Sequence, residues 1–438
     1  MTHFSDLGLA EPIQRALTEK GYAQPTPIQL QAIPPVLDGH DLCGIAQTGT
    51  GKTAAFALPS LHRLAGSPRS RAPGACRMLV LAPTRELASQ IAQSFAAYAK
   101  YLRLRVATVF GGVPINRQIR QMGEGTDILV ATPGRLLDLI DQHALHLRNV
   151  EILVLDEADQ MLDLGFIHAL KRIDALLPKK RQTLFFSATM PKAIADLGER
   201  FLADPVKVSV APQSTTAERV EQYVTFVSQP EKQALLTLVL RREPIDRALV
   251  FTRTKHGADR VARNLAAAGI PAEAIHGNKS QPQRERALRQ FRSGELKILV
   301  ATDIAARGID VSGVSHVFNF ELPNVAEQYV HRIGRTARAG REGIAISFVC
   351  DEERAYLRGI EKLTRVKLTP VPLPENFEQE KARLPKPKQA PPTAQRRHEE
   401  ARRDDARGEA EPRKRRFPPR RRGGVGAHKN AVRKVGGR

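Results

Sequence analysis

The sequence predicts an α/β protein of two tandem parallel-sheet domains followed by a disordered basic tail. A chain of 438 residues is too long for one ordinary domain and suits two. Two sections, 32–210 and 220–372, alternate short runs rich in Val, Ile and Leu with amphipathic stretches, which is typical of parallel strands covered by helices on both faces. The polar stretch 211–219 between them contains Pro212 and is predicted to be a linker.

The final section, residues 373–438, differs in composition from the rest of the chain. It is rich in Pro, Arg, Lys, Glu and Gly and cannot bury enough apolar surface to offset the entropy lost on ordering, so we expect disorder. Residues 381–438 carry 20 Lys and Arg against 6 Asp and Glu, which accounts for most of the formal net charge of +22. The excess calls for a polyanionic partner: nucleic acid, an anionic membrane or an acidic protein.

The N-terminal stretch MTHFSDLGLAEP lacks the basic start and apolar run of a secretory signal. The longest apolar runs also fall far short of the roughly 20 residues that span a bilayer. We therefore expect a cytoplasmic protein without a membrane partner. Cys43, Cys76 and Cys350 show neither metal-binding nor disulfide spacing, so we expect buried thiols.

Short apolar runs mark the strands of each domain. The candidates are, in order, DLCGIA, RMLVLAP, RVATVFGG, DILVATP, EILVLDEAD and TLFFSAT, then EQYVTFV, ALVFTRT, AEAIHG, KILVATD, HVFNFE and GIAISFV. Just after these runs stand Lys52, Arg85, Thr132, Asp156, Ser187 and Thr302. Since ligands of open α/β sheets bind outside the carboxyl ends of the strands, we expect one functional edge in each sheet.

The stretch AQTGTGKT, residues 46–53, has the features of a phosphate-binding loop. It lies between a predicted strand and a predicted helix, so backbone N–H groups would point at a phosphate, Lys52 would neutralise the outer phosphates and the Thr53 hydroxyl would hold Mg²⁺. Gly49 and Gly51 are free to adopt positive φ, whereas Ala46 replaces the usual first glycine and needs only an ordinary backbone angle. The alternative is a glycine-rich turn without a ligand.

The stretch EILVLDEADQML places two carboxylates at the end of an apolar strand. Asp156 is positioned to hold Mg²⁺ through water, and Glu157 to orient and deprotonate an attacking water. An isolated DEAD tetrapeptide is more often a solvated turn. Its place after a phosphate loop and at the close of a buried strand favours the catalytic interpretation.

A set of short motifs resembles, in order and spacing, that of the DEAD-box RNA helicases: AQTGTGKT, PTRELA, GG at 111–112, TPGR, DEAD, SAT, VFTRTK, ATDIAARGID and HRIGRTARAG. The resemblance extends from about Phe4 to Thr369, and HGNKSQPQRERALRQF is most similar to the RhlE branch. It implies an adenine-reading segment at 1–31 and two RecA-like domains, an ATP-binding one at 32–210 and a C-terminal helicase domain at 220–372. Ala at the first loop position is typical of this family.

The resemblance implies ATP and Mg²⁺ as cofactors. The amide of Gln29 suits the N6 donor and N7 acceptor of adenine, and Tyr22 or Phe4 offers a stacking face. The alternative is that Gln29 only caps or solvates a helix. The implied cofactor-binding residues are Phe4, Tyr22, Gln29, Ala46, Gln47, Thr48, Gly49, Thr50, Gly51, Lys52, Thr53 and, at the ribose, Asp310.

The stretch HRIGRTARAG, residues 331–340, is the motif of the second domain that would act on ATP. Arg335 and Arg338 share a helical face and would reach the γ-phosphate across a cleft as arginine fingers, although an Arg-rich helix is more often a solvated face. Ala337 replaces the glycine of many relatives, a departure that concerns local backbone shape. The resemblance implies a catalytic set of Lys52, Asp156, Glu157, Arg335 and Arg338, with Asp159, Ser187 and Thr189 coupling the domains.

The resemblance also implies an RNA-binding groove along both domains. Its residues are Arg85, Gly112, Thr132 and Arg135 in the first domain and Arg253, Gln281, Arg284 and Thr302 in the second. Arginine, threonine hydroxyl and glycine N–H groups bind phosphate and ribose without reading bases, so we expect sequence-independent binding of single-stranded RNA or short duplexes. Contacts to the 2′-OH would distinguish RNA from DNA.

These features together predict an ATP-dependent RNA helicase. RNA-stimulated ATP hydrolysis would drive domain closure and local, non-processive unwinding of short duplexes or remodelling of RNA–protein complexes, with ribosomal precursors and RNA-degradation complexes as candidate partners. The alternative is a non-enzymatic, ATP-gated RNA clamp or scaffold, against which the complete catalytic set argues. The tail is interpreted as an RNA tether, with a solubilising tail and a protein-docking segment as alternatives.

Overall fold

The computed structural model describes residues 3–47, 49–67, 69–210, 220–242, 245–306, 313–337 and 343–384. They lie in one compact unit, Met1–Pro385. The described residues form two seven-stranded parallel sheets, one from each predicted domain. The predicted architecture of two tandem parallel-sheet domains is confirmed; the predicted linker 211–219 lies outside the described residues.

The first sheet holds the order β3-β4-β2-β5-β6-β1-β7. Its strands are β1 Leu42–Ile45, β2 Cys76–Leu81, β3 Val106–Val109, β4 Thr126–Ala131, β5 Ile152–Leu155, β6 Gln182–Ser187 and β7 Val206–Ser209. β1 lies between β6 and β7, with Leu42 opposite both Leu184 and Val206. The sequence did not predict β7, since this edge strand exposes most of its side chains and so lacks an apolar run.

The helices of the first domain cover both faces of its sheet. They are α1 Glu11–Glu19, α2 Pro27–Leu37, α3 Lys52–Gly66, α4 Arg85–Tyr98, α5 Ile115–Met122, α6 Pro133–Asp141, α7 Ala158–Asp163, α8 Ile167–Leu176 and α9 Lys192–Phe201, preceded by a 3-10 turn at Phe4–Leu7. Alternate strand residues enter separate cores: Val80 packs with α1–α4, and Leu79 with α5–α9.

The second sheet repeats this architecture in the order β10-β11-β9-β12-β13-β8-β14. Its strands are β8 Val220–Phe226, β9 Ala248–Thr252, β10 Ala272–Ile275, β11 Ile298–Thr302, β12 His316–Asn319, β13 Gly343–Val349 and β14 Thr369–Pro370. Its helices are α10 Lys232–Arg242, α11 Lys255–Ala267, α12 Gln281–Ser293, α13 Asp303–Ala306, α14 Ala326–Ile333, α15 Arg354–Thr364 and α16 Phe377–Arg383, with 3-10 turns at Gln229–Glu231 and Asp351–Glu353.

Corresponding helices of the two domains begin in the same way. Thr84 precedes α4 and its hydroxyl accepts from the Leu87 N–H at 3.3 Å, and Thr254 precedes α11 and accepts from Gly257 at 3.0 Å. Each threonine satisfies a backbone donor that the first helical turn leaves without a partner. The PTRELA and RTK motifs therefore set the start of a helix at the carboxyl end of a strand.

The predicted start of the tail at residue 373 is wrong. The chain continues into α16, where Phe377 is buried in the same core as α10. Lys381 forms an ion pair with Glu231, and Glu380 forms one with Arg242. A seven-residue helix held by one aromatic anchor has too short an apolar pattern to be found from the sequence. The rest of the predicted tail, from residue 385, lies outside the described residues.

Two further expectations concern cysteines and membrane segments. Cys43, Cys76 and Cys350 are buried free thiols, as predicted, and burial raises the pKa of Cys76 to about 12. In the part of the chain that the structure describes, no helix is long and apolar enough to cross a bilayer.

Candidate functional site

The loop after β1 forms a backbone cradle at the start of α3. Ala46 donates its N–H to the Ser187 carbonyl at 3.0 Å, so it continues the β1–β6 ladder with an ordinary strand conformation. Gly49 and Gly51 have φ values of 89° and 94°, and the Thr50 hydroxyl donates to the Gln47 carbonyl at 2.8 Å. The glycine freedom is therefore needed inside the turn and not at position 46.

Gln29 joins the N-terminal segment to this loop. Its Oε1 accepts from the Thr26 N–H at 2.9 Å, which caps α2, while its Nε2 donates to the Gly51 carbonyl at 3.1 Å. A Cβ at Gly51 would lie 2.4 Å from Gln29 Nε2, so a side chain there would force the amide away. Capping is thus only part of what Gln29 does, and its pairing with adenine stays a prediction.

Lys52 is buried beside the acidic pair at the end of β5. Its Nζ is buried and has no hydrogen-bond partner among the described residues. Asp156 is 2% exposed, and desolvation raises its pKa to about 7, against the opposing effect of the Lys52 charge. An unsatisfied buried ammonium calls for an anion, and a carboxyl that resists ionisation calls for a cation. These residues fit a triphosphate and Mg²⁺.

Glu157 sits in a strained backbone conformation next to Asp156. Its φ is 53°, in the left-handed region, and its N–H donates to Asp156 Oδ1 at 3.0 Å. A left-handed residue with a side chain costs about 1–2 kcal/mol, and such strain persists where the surrounding structure demands it. The turn directs consecutive carboxylates into one site.

A cavity of about 640 Å³ brings these groups together. It is lined by Gly21, Tyr22, Ala23, Gln24, Thr26, Gln29, Gly49, Gly51, Lys52, Thr53, Ala54, Leu87, Gln90, Ser94, Tyr98, Asp156 and Glu157. The two predicted magnesium ligands, Thr53 and Asp156, therefore face the same space. The sequence analysis did not identify the side of the cavity that α4 forms. The signal that could have found it is the spacing of Leu87, Gln90 and Ser94, which places them along one face of a helix.

The two aromatic residues of the N-terminal segment, Phe4 and Tyr22, have different environments. Tyr22 is 40% exposed and lines the cavity, whereas Phe4 is 5% exposed and packs against the Tyr22 ring with centroids 6.4 Å apart. Tyr98 packs against Tyr22 at 6.2 Å. Phe4 therefore supports Tyr22 and does not line the cavity; of the two predicted stacking faces, Tyr22 is the one exposed to it, and stacking on adenine stays a prediction.

The predicted coupling residues form one hydrogen-bonded cluster in the first domain. Asp159 Oδ2 accepts from the backbone N–H groups of Ala188 and Thr189, at 3.1 and 3.2 Å, and from the Thr189 hydroxyl at 3.2 Å. The Ser187 hydroxyl donates to the Thr189 carbonyl at 2.7 Å. The last residue of the DEAD tetrapeptide is thereby tied to the SAT motif, while a link to the second domain stays a prediction.

The first-domain residues predicted to bind RNA lie at the starts of α4 and α6 and in the loop after β3. A Cβ at Gly112, where φ is 82°, would be strained and would lie 1.8 Å from an Arg85 guanidinium nitrogen, so a side chain there would displace the guanidinium. Arg135 donates to the Val113 carbonyl at 3.0 Å, and Thr132 precedes α6 and donates its N–H to Val109. Burial, and then the nearby Arg284 charge, lowers the pKa of Arg85.

Arg284 of the second domain lies next to these first-domain residues. Its Nε lies 2.8 Å from Glu86 Oε1, an ion pair between α12 and α4 in which both side chains are buried, although the angles do not form a hydrogen bond. Gln281 begins α12 and donates to Glu285 at 3.1 Å. Residues predicted from separate motifs, Arg85 and Arg284, are thus brought together.

The other second-domain residues of the predicted groove lie at the ends of adjacent strands. Thr302 ends β11 opposite Thr252 of β9, and Arg253 follows Thr252. The Arg253 guanidinium donates to Asn324 Oδ1 at 3.2 Å and lies 3.4 Å from Glu353 Oε1. The protein therefore orients Arg253 before any ligand binds.

In the described part of the HRIGRTARAG motif, residues 331–337, α14 ends at Ile333 and both Arg332 and Arg335 are buried, so these two arginines do not form a solvated helical face. Arg332, which sequence reasoning did not single out, is 1% exposed; its guanidinium holds Asp303 at 2.5 and 2.7 Å and lies over the Phe251 ring. The bidentate pair fixes Arg332 to the start of α13, and the ring contact fixes it to β9. Arg332, which is paired inside the protein, therefore differs in role from the predicted arginine fingers of the same motif.

Arg335 and Ala337 follow Arg332 in the motif. Arg335 is 5% exposed, donates from Nε to the His331 carbonyl at 3.2 Å and does not line the 640 Å³ cavity. Ala337 has φ 54°, which explains why many relatives have glycine there. The remaining predicted residues, Thr48, Asp310 and Arg338, lie outside the described residues.

Comparisons with known proteins agree with this geometry. The DEAD/DEAH box helicase family matches residues 26–197, and the helicase conserved C-terminal domain matches residues 231–340. The ATP-dependent RNA helicase CshA of Listeria monocytogenes is 45% identical over 374 residues, covering 85% of this chain and 71% of that protein. The relative is named CshA, and the predicted RhlE branch is not confirmed.

Solved structures show the same two-domain architecture. S. cerevisiae Dbp5 bound to RNA and ADP BeF3 superposes with a TM-score of 0.76 at 32% identity, covering 87% of this chain and 98% of that one. Mss116p bound to ssRNA and AMP-PNP superposes with a TM-score of 0.77 at 26% identity, covering 89% of this chain and 83% of that one. With its phosphate loop, its Asp-Glu-Ala-Asp turn and its two RecA-like sheets, the chain belongs to the DEAD-box helicase family.

Proposed function

We propose that this protein is an ATP-dependent RNA helicase that couples RNA-stimulated ATP hydrolysis to local, non-processive strand separation. The observation that carries the proposal is the buried ammonium of Lys52, which has no hydrogen-bond partner among the described residues, beside Asp156 and Glu157 in a glycine-lined cavity. Bound ATP with Mg²⁺ supplies a γ-phosphoryl group that water can attack. Every other step is performed by side chains of this chain.

The first domain holds the nucleotide. Lys52 neutralises the outer phosphates, and Thr53 and Asp156 hold Mg²⁺. Glu157, directed by its left-handed turn, orients the attacking water and accepts its proton. Gln29 and Tyr22 border the same cavity and recognise adenine by its amide edge and its ring face.

The second domain completes the site when the two domains close. Arg335 and Arg338 would stabilise the charge of the transition state, and Asp310 would bind the ribose, as the family motif implies. The cluster of Asp159, Ser187 and Thr189 would report the nucleotide state to the second domain. Catalysis therefore depends on domain closure, which RNA promotes.

RNA binds through its backbone along the helix starts and loops of both domains. Arg85, Arg135 and Arg284 supply positive charge, and Gly112 allows the close approach of Arg85. Since these groups recognise phosphate and ribose, binding is independent of sequence. A strand held in a bent form across both domains cannot remain in a duplex, which accounts for local unwinding without translocation.

A non-enzymatic ATP-gated clamp is the second candidate, and Glu157→Gln separates the two. The variant keeps the size of the side chain but cannot accept a proton, so RNA-stimulated phosphate release should fall by about 100-fold or more. An RNA complex that forms with ATP should persist. The measurement is phosphate release with and without RNA, with displacement of a short duplex in parallel. Full turnover in the variant would reject the role of Glu157, and no RNA stimulation in the wild type would favour the clamp.

The cellular role is proposed at a coarser level. The basic residues beyond the described domains suit an RNA tether, which raises local RNA concentration without reading sequence. We place the protein in the cytoplasm, acting on structured RNA in ribosomal precursors or RNA-degradation complexes. The RhlE branch remains a proposal based on the stretch HGNKSQPQRERALRQF.

A further inference from the structure

Helix α4 lies between two cavities. One is the nucleotide cavity of about 640 Å³ described above. The other, of about 760 Å³, is an inter-domain cleft between α4 and α12 of the second domain. The cleft includes Glu86, which forms the ion pair with Arg284 across the two domains.

The residues of α4 divide between these cavities according to helix geometry. Leu87 and Ser94 line the nucleotide cavity but not the cleft, whereas Glu86 and Gln93 line the cleft but not the nucleotide cavity. Gln90 lines both. It stands four residues after Glu86, and therefore one helical turn from the inter-domain ion pair.

The amide of Gln90 is unsatisfied. Its Nε2 is buried and has no hydrogen-bond partner among the described residues. Across the same cleft, Gln281 Oε1 is also buried without a donor among those residues. A buried donor without an acceptor costs free energy, so Gln90 should adopt a defined hydrogen bond once either cavity is filled.

We propose that Gln90 is a positioning residue that couples nucleotide binding to RNA binding. A nucleotide in the first cavity restricts the Gln90 amide on one side and directs it toward the cleft, where it stabilises the approach of α12 and so presents Arg284 to RNA. By linkage, RNA that draws α12 against α4 tightens nucleotide binding by the same factor. This inference rests on the proposed function, because it requires both ligands.

The test uses the full-length protein, AMP-PNP with Mg²⁺, and a fluorescent oligouridylate. The RNA Kd is measured with and without saturating AMP-PNP, and the ratio of the two values reports the coupling. Couplings of this kind range from about 5-fold to 150-fold, and Gln90→Ala should bring the ratio to about 1 while changing the RNA Kd measured alone much less.

Two neighbours on the same helix serve as matched controls. Gln93→Ala changes the cleft and Ser94→Ala changes the nucleotide cavity, so each should shift one affinity and keep the ratio of the wild type. Gln90→Glu removes the Nε2 donor at nearly constant shape and should lose the coupling. Gln90→Met, which keeps the length without the amide, replaces Gln90→Ala if that variant does not fold.

A wild-type ratio in Gln90→Glu or Gln90→Met would overturn the proposal, as would equal losses of coupling in both controls. Failure of the proposed function looks different. In that case the wild-type protein itself would bind no AMP-PNP, bind no RNA, or show a ratio of 1.

Discussion

The ammonium of Lys52 is buried without a hydrogen-bond acceptor among the described residues, beside a carboxyl that burial holds partly protonated. Charges this poorly compensated destabilise the free protein, and ligand binding relieves the cost. Glu157 adds backbone strain at the same point. At the residue scale, the nucleotide site is therefore built at the expense of stability.

Asp156→Asn should make the nucleotide-free protein more stable than the wild type at pH 8. At pH 5 the gain in stability should be smaller. Burial raises the pKa of Asp156 from 3.8 to about 7, so the folded state binds a proton that the unfolded chain releases. The stability contribution of this carboxyl is present at low pH and is lost as the pH rises through 7. Melting temperatures measured without Mg²⁺ at both pH values test this. An equal effect at pH 5 and pH 8 would contradict the assigned shift.

Ala337→Gly should leave stability unchanged or raise it by up to about 1 kcal/mol, because relief of left-handed strain offsets the entropy cost of glycine. The matched control is Ala266→Gly at an exposed position in α11, which should destabilise by about 0.5–1 kcal/mol. Urea unfolding measures both. A loss of stability in Ala337→Gly as large as that in Ala266→Gly would show that the backbone at Ala337 is not strained.

At the element scale, two helices make contacts that their local sequence does not reveal. Helix α16 extends the second domain to Arg383 through Phe377 and two ion pairs, one between Lys381 and Glu231 and one between Glu380 and Arg242. Helix α4 carries groups that line the 640 Å³ cavity on one face and the inter-domain cleft on another. Both are amphipathic helices whose partners are distant in the chain.

Truncation tests the boundary that α16 sets. A chain ending at Pro372 loses the burial of Phe377 and should unfold with a free energy lower by about 2–4 kcal/mol. A chain ending at Leu384 should keep the stability of the full chain. Its RNA affinity should fall and depend less steeply on salt, since it lacks most of the cations of the basic segment. Equal stability of both truncated chains would show that α16 does not stabilise the second domain, and the predicted start of the tail at residue 373 would then stand.

At the scale of the whole molecule, the ion pair between Glu86 and Arg284 is a direct link between the two domains. Both side chains are buried, so removing one leaves an uncompensated charge. The same arginine lies near Arg85, in the set proposed to bind RNA. Under the proposed function, domain closure and RNA binding would therefore use the same side chain.

A double-mutant cycle on Glu86→Ala and Arg284→Ala measures this link. In RNA binding with AMP-PNP the two substitutions should be non-additive by about 1–3 kcal/mol, because the second removes a charge that the first has already left unpaired. Additive losses in the presence of AMP-PNP would show that the contact does not contribute to the RNA-bound arrangement.

Much of the fold and of the nucleotide site could be predicted from sequence because their signals are local. Apolar runs marked the strands, and AQTGTGKT and DEAD contain their own chemistry at fixed spacing. The edge strands β7 and β14 and helix α16 were missed, since their stability comes from a neighbouring strand or core and not from their own pattern.

By itself, the sequence determined that this chain has two parallel sheets and a phosphate loop in which Ala46 only completes a strand. Only the tertiary structure decided that Phe4 is a support, that Arg332 is a buried anchor, and that Gln90 borders both cavities. The physical reason is that burial and pairing depend on residues far away in the chain, whereas a turn, a helix start and a strand are encoded by neighbours.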